Sequence, residues 1–173
     1  MSEVSTLSLN IGDRVVYPSH GAGAIRGISD QEVLGKSQSY FELELFKGGM
    51  QVKVPVVHAS RLGLRRVTPM ELLPELLSNL ALPDLDLPAA WTPRHRRELT
   101  ILQEGDIEVI TKLVGTLHRR AQGRTLAVTE RAILDDAKRI VATEVSVSKQ
   151  IEHNAAVAEI DLMLEQVLAP ASV

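Results

Sequence analysis

A tryptophan followed closely by three arginines is the arrangement in this sequence best suited to binding chemistry. Trp91 stands just before Arg94, Arg96 and Arg97. An indole can stack on a base or wedge into an opened minor groove, and guanidinium groups pair with phosphates. The chain has one Trp, two Tyr and two Phe, so no second indole can replace this one. The arrangement predicts either an exposed nucleic-acid contact or, equally well, an indole buried where a linker joins a helix.

The patterns that mark enzymes and metal sites are missing from the sequence. The chain has no Cys, and its five His residues show no His-x-x-x-His spacing, which removes the usual zinc sites. No Gly-x-Ser-x-Gly nucleophile motif occurs. Gly35-Lys36-Ser37 resembles part of a phosphate-binding loop, but Asp30 replaces the upstream glycine, so a turn between two strands is the favoured interpretation. The sequence therefore predicts no enzymatic activity, no metal and no cofactor.

Composition and charge set broad limits on function. The chain has 173 residues, 45% hydrophobic and 24% charged, with a net charge of -3. These values exclude a disordered chain and argue against a protein that coats nucleic acid by bulk electrostatics. Residues 94–131 nevertheless carry eight basic and five acidic side chains, a local +3, whereas residues 132–173 carry three and seven, a local -4. This asymmetry favours a nucleic-acid or protein partner, with a solvated mixed-charge helix face as the alternative.

Neither membrane insertion nor secretion is indicated by the sequence. The longest apolar segment, residues 72–87, is interrupted by Pro74, Pro83 and acidic residues, and a spanning helix needs roughly 20 apolar residues. The first residues, MSEVSTLSLN, lack the basic start and apolar stretch of a signal peptide. We therefore expect a soluble cytoplasmic protein that makes no membrane contact.

The elements that must position these residues fall into two halves, of which the first predicts β structure. Five short strands are expected at residues 14–17, 24–33, 40–45, 51–56 and 62–67. Lys47-Gly48-Gly49 is a hairpin signal between the third and fourth strands. Glu42 and Glu44 share one face of the third strand, where a solvated surface is favoured over a cation site. The strands predict a small, strongly bent antiparallel sheet or barrel.

The second half predicts about five helices. Thr68 and Pro69 begin the first, and residues 83–90 form a linker or turn. The later helices are expected with Thr92 as N-cap up to Gly105, from Asp106 to Gly123, from Thr129 to a break at 145–148, and from Lys149 to Leu168, with a frayed tail after Pro170. The predicted fold class is α+β, with a five-stranded β domain at residues 1–67 and an all-α domain at residues 68–173.

Several motifs spread along the chain resemble one protein family. Residues 11–23 read IGDRVVYPSHGAG, residues 52–56 read VKVPV, residues 91–97 read WTPRHRR and residues 117–120 read LHRR. In this order and spacing they are similar to the CarD/CdnL family of bacterial RNA-polymerase-binding transcription regulators. The first motif also resembles the polymerase-interacting module of the transcription-repair coupling factor. That factor continues into helicase motifs, whereas a helical domain with Trp91 follows here.

For the β half, the resemblance implies a Tudor-like module, the RNA-polymerase-interacting domain, that docks on the lobe of the polymerase β subunit. It implies that Lys53 is a docking residue, together with Gln51 and Gln31. Gln31 stands where family members place a basic residue, and Arg26 or Lys36 nearby could supply that charge. Sheet-edge and side-chain contacts would mediate the docking.

For the helical half, the resemblance implies contact with promoter DNA at the upstream edge of the transcription bubble. Trp91 would wedge into the minor groove there, with Arg94, Arg96, Arg97 and Arg131 on phosphates. The implied protein is a monomeric, non-enzymatic regulator that stabilises the promoter open complex and reaches the nucleoid through RNA polymerase. A polymerase adaptor without direct DNA contact is the alternative, and an enzyme whose site is assembled from distant residues is a further rival.

Overall fold

The boundary between the two halves lies between Val67 and Thr68, in a computed structural model that describes residues 8–18 and 20–168. Each half is a unit with its own hydrophobic core. The tail after Pro170, which we expect to be frayed, lies outside the described residues. The predicted α+β fold class is confirmed, since strands make up the first unit and helices the second.

The first unit is an antiparallel sheet. Among its described residues the strands are β1 (Arg14–Tyr17), β2 (Gly21–Val33), β3 (Lys36–Leu45), β4 (Gln51–Pro55) and β5 (Arg65–Arg66), in the spatial order β4-β3-β2-β1-β5. Phe41 and Leu43 of β3 pack with Val54 of β4 in the core. A Cβ atom on Gly23 would lie 2.4 Å from the carbonyl oxygen of Glu44, so glycine is required where β2 approaches β3.

The hairpin of β2 and β3 is longer than its hydropathy pattern predicts. β3 begins at residue 36 instead of 40, because backbone pairing with β2 continues through polar residues. β2 begins at residue 21 instead of 24, because residues 21–23 pair with β1. Leu34 and Gly35 connect the strands with φ values of 52° and 75°, which confirms the turn predicted there. β5 has only two residues instead of the predicted 62–67, since residues 59–63 form a turn.

The second unit is helical. Its described helices are α1 (Leu73–Ser78), α2 (Trp91–Glu104), α3 (Ile107–Gly123), α4 (Val128–Lys149) and α5 (His153–Leu168), with short 3-10 turns at Met70–Leu72 and Asn79–Ala81. The apolar stripes of α3, α4 and α5 face one another, so that Leu113, Val141 and Ile160 are completely buried. This core holds the helix ends that carry the candidate functional residues.

The starts of α2 and α3 differ in their N-caps. The predicted cap of α3 is confirmed, because Asp106 Oδ1 accepts hydrogen bonds from the backbone amides of Glu108 and Val109. The predicted cap of α2 is wrong. That helix begins at Trp91 itself, so its N-cap is Ala90, which offers no side-chain oxygen, and Thr92 already lies inside the helix.

The predicted break at residues 145–148 is also wrong, since α4 runs through this segment. Val145 is completely buried, and the Ser148 hydroxyl donates a hydrogen bond to the Thr68 carbonyl oxygen at 2.7 Å. These contacts keep the segment helical despite its β-branched residues. The helix ends one residue after this segment, at Lys149, and Gln150 then adopts the left-handed conformation with φ of 56°.

None of the helices within residues 8–18 and 20–168 has the length and apolar content that crossing a membrane requires. In the same part of the chain, no three His, Asp or Glu side chains are grouped so that they could hold a metal ion.

Candidate functional site

The indole of Trp91 is exposed at the start of α2. The residue keeps 40% of its surface accessible, which answers the question that its sequence position left open. One face of the ring stacks on His95, one helical turn later, with 5.1 Å between centroids and 15° between planes. The guanidinium carbon of Arg94 lies 5.5 Å from the ring centroid, within the range of a cation–π contact. The ring is therefore supported from inside the protein and open towards solvent.

Arg94 is not placed as the sequence predicts for a phosphate ligand. Only 7% of the residue is exposed. Its Nε atom donates to Glu130 Oε1 at 3.1 Å, and its Nη1 atom donates to the carbonyl oxygens of Ala89 at 2.7 Å and Pro88 at 3.4 Å. The guanidinium group is therefore already occupied by protein acceptors, and in this structure it is not presented to a phosphate.

Arg94 belongs to a buried ion cluster, which we define as Arg94, Glu98, Arg120 and Glu130. The Glu130 carboxylate receives both arginines, because Arg120 Nε lies 3.0 Å from the same Oε1 atom. Glu98 Oε1 lies 3.9 Å from Arg94 Nε, and both Glu98 oxygens are buried without a hydrogen-bond partner among the described residues. When Glu98 is ionised, the two arginines and two carboxylates balance in charge, and the cluster joins α2, α3 and α4.

The electrostatics of this cluster converge on Glu98. Burial is the main cause that raises the pKa of Glu98 from 4.5 to about 7, and the nearby charge of Glu130 adds to the increase. The positive charges of Arg94 and Arg120 act in the opposite direction. Near neutral pH, the Glu98 carboxyl group is therefore protonated in part of the molecules. In the sequence, Glu98, Arg120 and Glu130 contribute only to the charge count of residues 94–131. The i,i+4 spacing of Arg94 and Glu98 is the single local signal of the cluster.

Three of the predicted DNA-binding arginines are exposed. Arg96 and Arg97 lie on the outer side of α2, where Arg97 makes only a loose contact of 3.7 Å with exposed Glu104. Arg131 is exposed in the first turn of α4, directly after Glu130. Because Glu130 binds Arg94 in the first turn of α2, the starts of α2 and α4 are adjacent. The fold thus brings Arg131 to the side of the unit where Trp91 lies, and helix N-termini themselves favour anions.

The linker before α2 is held in place by a different arginine. Arg119 of α3 donates to the carbonyl oxygens of Leu80 at 2.7 Å and Leu82 at 2.8 Å, and it pairs with Asp84 at 2.7 Å. The backbone amide of Leu85 donates to Thr116. Not every cation in the positive window is thus available to a ligand, since Arg119 is a structural residue.

In the first unit, the strand register places the three predicted docking residues on one face of the sheet. Gln31 pairs with Gln38 of β3, and alternate residues of β3 then reach Glu42 and Glu44. Those two residues pair with Lys53 and Gln51 of β4. Because alternate residues of a strand share a face, Gln31, Gln51 and Lys53 all lie opposite the core. We call this surface the outer sheet face.

The outer sheet face carries exposed ion pairs. Lys53 Nζ lies 3.4 Å from Glu42 Oε1, and Arg26 Nε lies 3.3 Å from Glu44 Oε2. Both carboxylates therefore face basic side chains, which supports the solvated surface that the sequence favoured over a cation site. β4 forms an edge of the sheet, with β3 as its only neighbour among the described strands. An edge strand leaves half of its backbone groups available for pairing with another chain.

Exposed apolar side chains flank both ends of β4. Phe46 and Met50 lie in the turn before the strand, and Val57 follows it. Between 49% and 62% of each residue is exposed. Sequence reasoning did not single these residues out, because isolated apolar residues in turns carry no periodic signal. Together with the free edge, they give β4 the features of a protein-binding strand.

Comparison with known proteins identifies matches to both units. Residues 9–68 match the family model described as "CarD-like/TRCF RID domain", and residues 75–161 match "CarD, C-terminal domain". The chain is also 28% identical over 141 residues to the Bacillus subtilis (strain 168) protein named "Putative transcription factor YdeB". That match covers 82% of this chain and 92% of the relative.

Two solved structures resemble the first unit in sequence. The solution structure of the N-terminal domain of Myxococcus xanthus CarD is 33% identical, with a TM-score of 0.30, and the match covers 34% of this chain and 77% of that one. The structure of CdnLNt from the same organism is 37% identical, with a TM-score of 0.31, and covers 35% of this chain and 84% of that one.

Proposed function

This chain belongs to the CarD family, and we propose that it stabilises the promoter open complex while it is docked on RNA polymerase. Its RID domain and its family make it a transcription regulator that interacts with RNA polymerase. The finer proposal concerns where it docks, what it does to DNA and how the two contacts combine. We place its action in the cytoplasm, at the nucleoid, as a monomer bound to polymerase.

We assign polymerase docking to the outer sheet face and the β4 edge, with the lobe of the β subunit as the target. The edge offers backbone groups for strand addition, and the flanking Phe46, Met50 and Val57 offer apolar contact area. Lys53 is half-exposed and its pair with Glu42 is a surface pair. Exposed pairs contribute about 0–1 kcal/mol, so Lys53 can exchange Glu42 for an acidic group of the partner at little cost.

We assign DNA contact to the start of α2, and the observation that carries this assignment is the exposed, internally supported indole of Trp91. The ring is stacked on His95 while 40% of the residue stays exposed, which suits a wedge for an unstacked base step. Exposed Arg96 and Arg97 lie on the same helix, and exposed Arg131 lies in the first turn of α4, so this end of the unit offers positive charge suited to phosphates. No base-edge readout is required, so the wedge would sense the opened groove through its shape.

The energetics of this proposal fit a protein with a net charge of -3. Docking on polymerase raises the effective concentration of the wedge at the promoter, so its own DNA affinity can be low. One stacked aromatic contributes about 1–3 kcal/mol, which corresponds to roughly 5- to 150-fold in open-complex lifetime. A ligand shifts the equilibrium between closed and open complexes only by its difference in affinity for the two. Promoters with unstable open complexes would therefore be activated, and promoters limited by escape would be inhibited.

The decisive test of the DNA contact is the lifetime of the open complex at an unstable promoter. We expect Trp91→Ala to reduce the lifetime towards that of polymerase alone, while binding to polymerase stays intact. Leu99→Ala is the matched control, because Leu99 lies on the same helix with a similar exposure of 41%. An unchanged lifetime with Trp91→Ala would contradict the wedge. In that case, footprinting that leaves the upstream bubble edge unprotected would favour an adaptor without DNA contact.

The docking surface is tested separately by reversing a charge. We expect Lys53→Glu to weaken association with RNA polymerase, because it places an acid beside Glu42 and removes the cation offered to the partner. Arg61→Glu is the control, since Arg61 is exposed in the same unit but lies in a turn outside the sheet. Co-purification of Lys53→Glu with polymerase at the wild-type level would argue against the outer sheet face.

A further inference from the structure

The helix that carries the indole begins without a side-chain cap. Its N-cap, Ala90, has no side-chain oxygen that could accept from the free amides of the first turn, and Trp91 is the first helical residue. An uncapped first turn frays, and fraying would let the indole change direction. Some other contact must therefore hold this turn if Trp91 is to act as a rigid wedge.

Arg94 contacts the linker before that turn, the indole within it and a residue of α4. It binds the carbonyl oxygens of Pro88 and Ala89, which precede the indole in the chain, and its guanidinium lies against the indole ring. It also binds Glu130 on α4, a residue that is only 3% exposed and is held by Arg120 as well. One side chain thus connects the linker, the wedge and a fixed point in the bundle.

We propose that Arg94 is a positioning residue that fixes the direction of the Trp91 indole, and that it does not pair with DNA phosphate. Its consequence for transcription rests on the proposed function. Arg94 is only 7% exposed and its Nε and Nη1 atoms are engaged, and a phosphate that took the place of Glu130 would leave that carboxylate desolvated with one cation fewer. Arg94 therefore releases no counterion from DNA, whereas exposed Arg96 does.

The shape of the guanidinium group is essential to this role. Nε points to Glu130 while Nη1 points to the linker carbonyls, so two directions are satisfied by one planar fork. A lysine at position 94 would keep the charge but offers a single nitrogen, which cannot hold both anchors in this geometry. Substitution by lysine thus separates the role of the fork from the role of the charge.

The test uses the full-length protein and its single tryptophan as a spectroscopic probe. In the free protein, we expect Arg94→Lys and Arg94→Gln to lower the fluorescence anisotropy of Trp91 and to increase its quenching by acrylamide. Arg96→Gln is the matched control and leaves both signals at the wild-type value. Circular dichroism establishes that each variant is folded. If Arg94→Gln fails to fold, Arg94→Lys and the control still give the comparison.

A second measurement distinguishes positioning from phosphate binding. The affinity of the protein–polymerase complex for promoter DNA is measured against salt concentration. We expect Arg96→Gln to reduce the log–log salt slope by about one, and both Arg94 variants to keep the wild-type slope while open-complex lifetime falls several-fold. A slope reduced by about one in Arg94→Gln, or wild-type anisotropy and lifetime in Arg94→Lys, would overturn the proposal. The anisotropy measurement involves no DNA, so it tests the role of Arg94 independently of the wedge proposal. The wedge proposal is contradicted by a different result, an unchanged open-complex lifetime with Trp91→Ala.

Discussion

The two units use the same kinds of charged residue in opposite ways. On the outer sheet face, Lys53 and Glu42 form a pair whose side chains are 48% and 39% exposed. Beneath the indole, the side chains of Arg94 and Glu130 are 9% and 4% exposed. The first pair is solvated and can change partners, whereas the second is buried and holds three helices together.

This difference in burial determines whether the ion pairs of each candidate site can change partners on binding. Exposed pairs contribute little to folding, so the outer sheet face can exchange its own ion pairs for those of a partner. A buried pair costs several kcal/mol to break by removing one partner, so the helical unit presents a preformed surface. We therefore expect a docking surface that adapts and a wedge that is rigid, and four changes to the protein test this comparison.

The largest effect is expected at the shared carboxylate of the buried ion cluster. Glu130→Ala leaves Glu98 as the only carboxylate of the cluster beside Arg94 and Arg120. At least one positive charge of the cluster is then uncompensated. We expect the free energy of unfolding to fall by about 3–5 kcal/mol, measured by urea unfolding. A loss below about 1 kcal/mol would mean that the cluster is solvated in solution, like the pairs on the sheet.

The next effect is a pH dependence that originates at Glu98. Because its pKa is raised from 4.5 to about 7, the folded protein holds a proton between these pH values that the unfolded chain releases, so stability falls as pH rises. Glu98→Gln removes this loss. We expect the variant to gain on the wild type by up to about 3 kcal/mol at pH 8, and much less at pH 5.

Two controls keep the pH experiment specific. Glu104→Gln, on the same helix but exposed, should show no such difference between pH 8 and pH 5. Burial also lowers the pKa of His118, which gives stability the opposite pH dependence, but this contribution cancels in the difference between variant and wild type. Equal stability differences at both pH values would contradict the role of Glu98.

A smaller effect is expected where backbones meet inside the helical unit. A Cβ atom on Gly115 of α3 would lie 2.2 Å from the carbonyl oxygen of Leu80. Gly115→Ala therefore forces the 3-10 turn Asn79–Ala81 away from α3, and we expect a loss of about 1–3 kcal/mol in thermal unfolding. Gly123→Ala is the matched control, because its Cβ would meet nothing within 4 Å. Equal melting temperatures for the two variants would contradict this close approach.

The smallest effect is expected on the outer sheet face. Glu42→Ala breaks the exposed pair with Lys53, and we expect the free energy of unfolding to change by less than about 1 kcal/mol in urea unfolding. A loss as large as that of Glu130→Ala would remove the distinction between the two sites.

The sheet was largely predictable because its signals are local. Alternation around Phe41 and Leu43 identified β3, and the glycine-containing turn at 47–49 marked the return to β4. The first part of β3, residues 36–39, escaped prediction, since these residues are polar and their place in the strand follows from backbone pairing with β2. The register, and with it the common face of Gln31 and Lys53, follows from pairing between strands.

The helical unit was predictable where caps and apolar stripes are local, as at Asp106. It was not predictable where tertiary contacts override residue preferences. Val145 and Ser148 suggested a break, but burial and the hydrogen bond to Thr68 maintain the helix. Thr92 suggested a cap, but the chain before α2 is held by Arg94 and the helix starts two residues earlier than that cap implies.

Residue types and periods of two or 3.6 residues indicate that a single tryptophan stands at a helix start among arginines, and that a β unit precedes a helical one. The exposure of Trp91, the burial of Arg94 and the position of Arg131 near α2 follow instead from the packing of the helices. The partner that buries Arg94 is Glu130, on another helix, and which charges meet across helices depends on how apolar stripes pack, which no local spacing encodes.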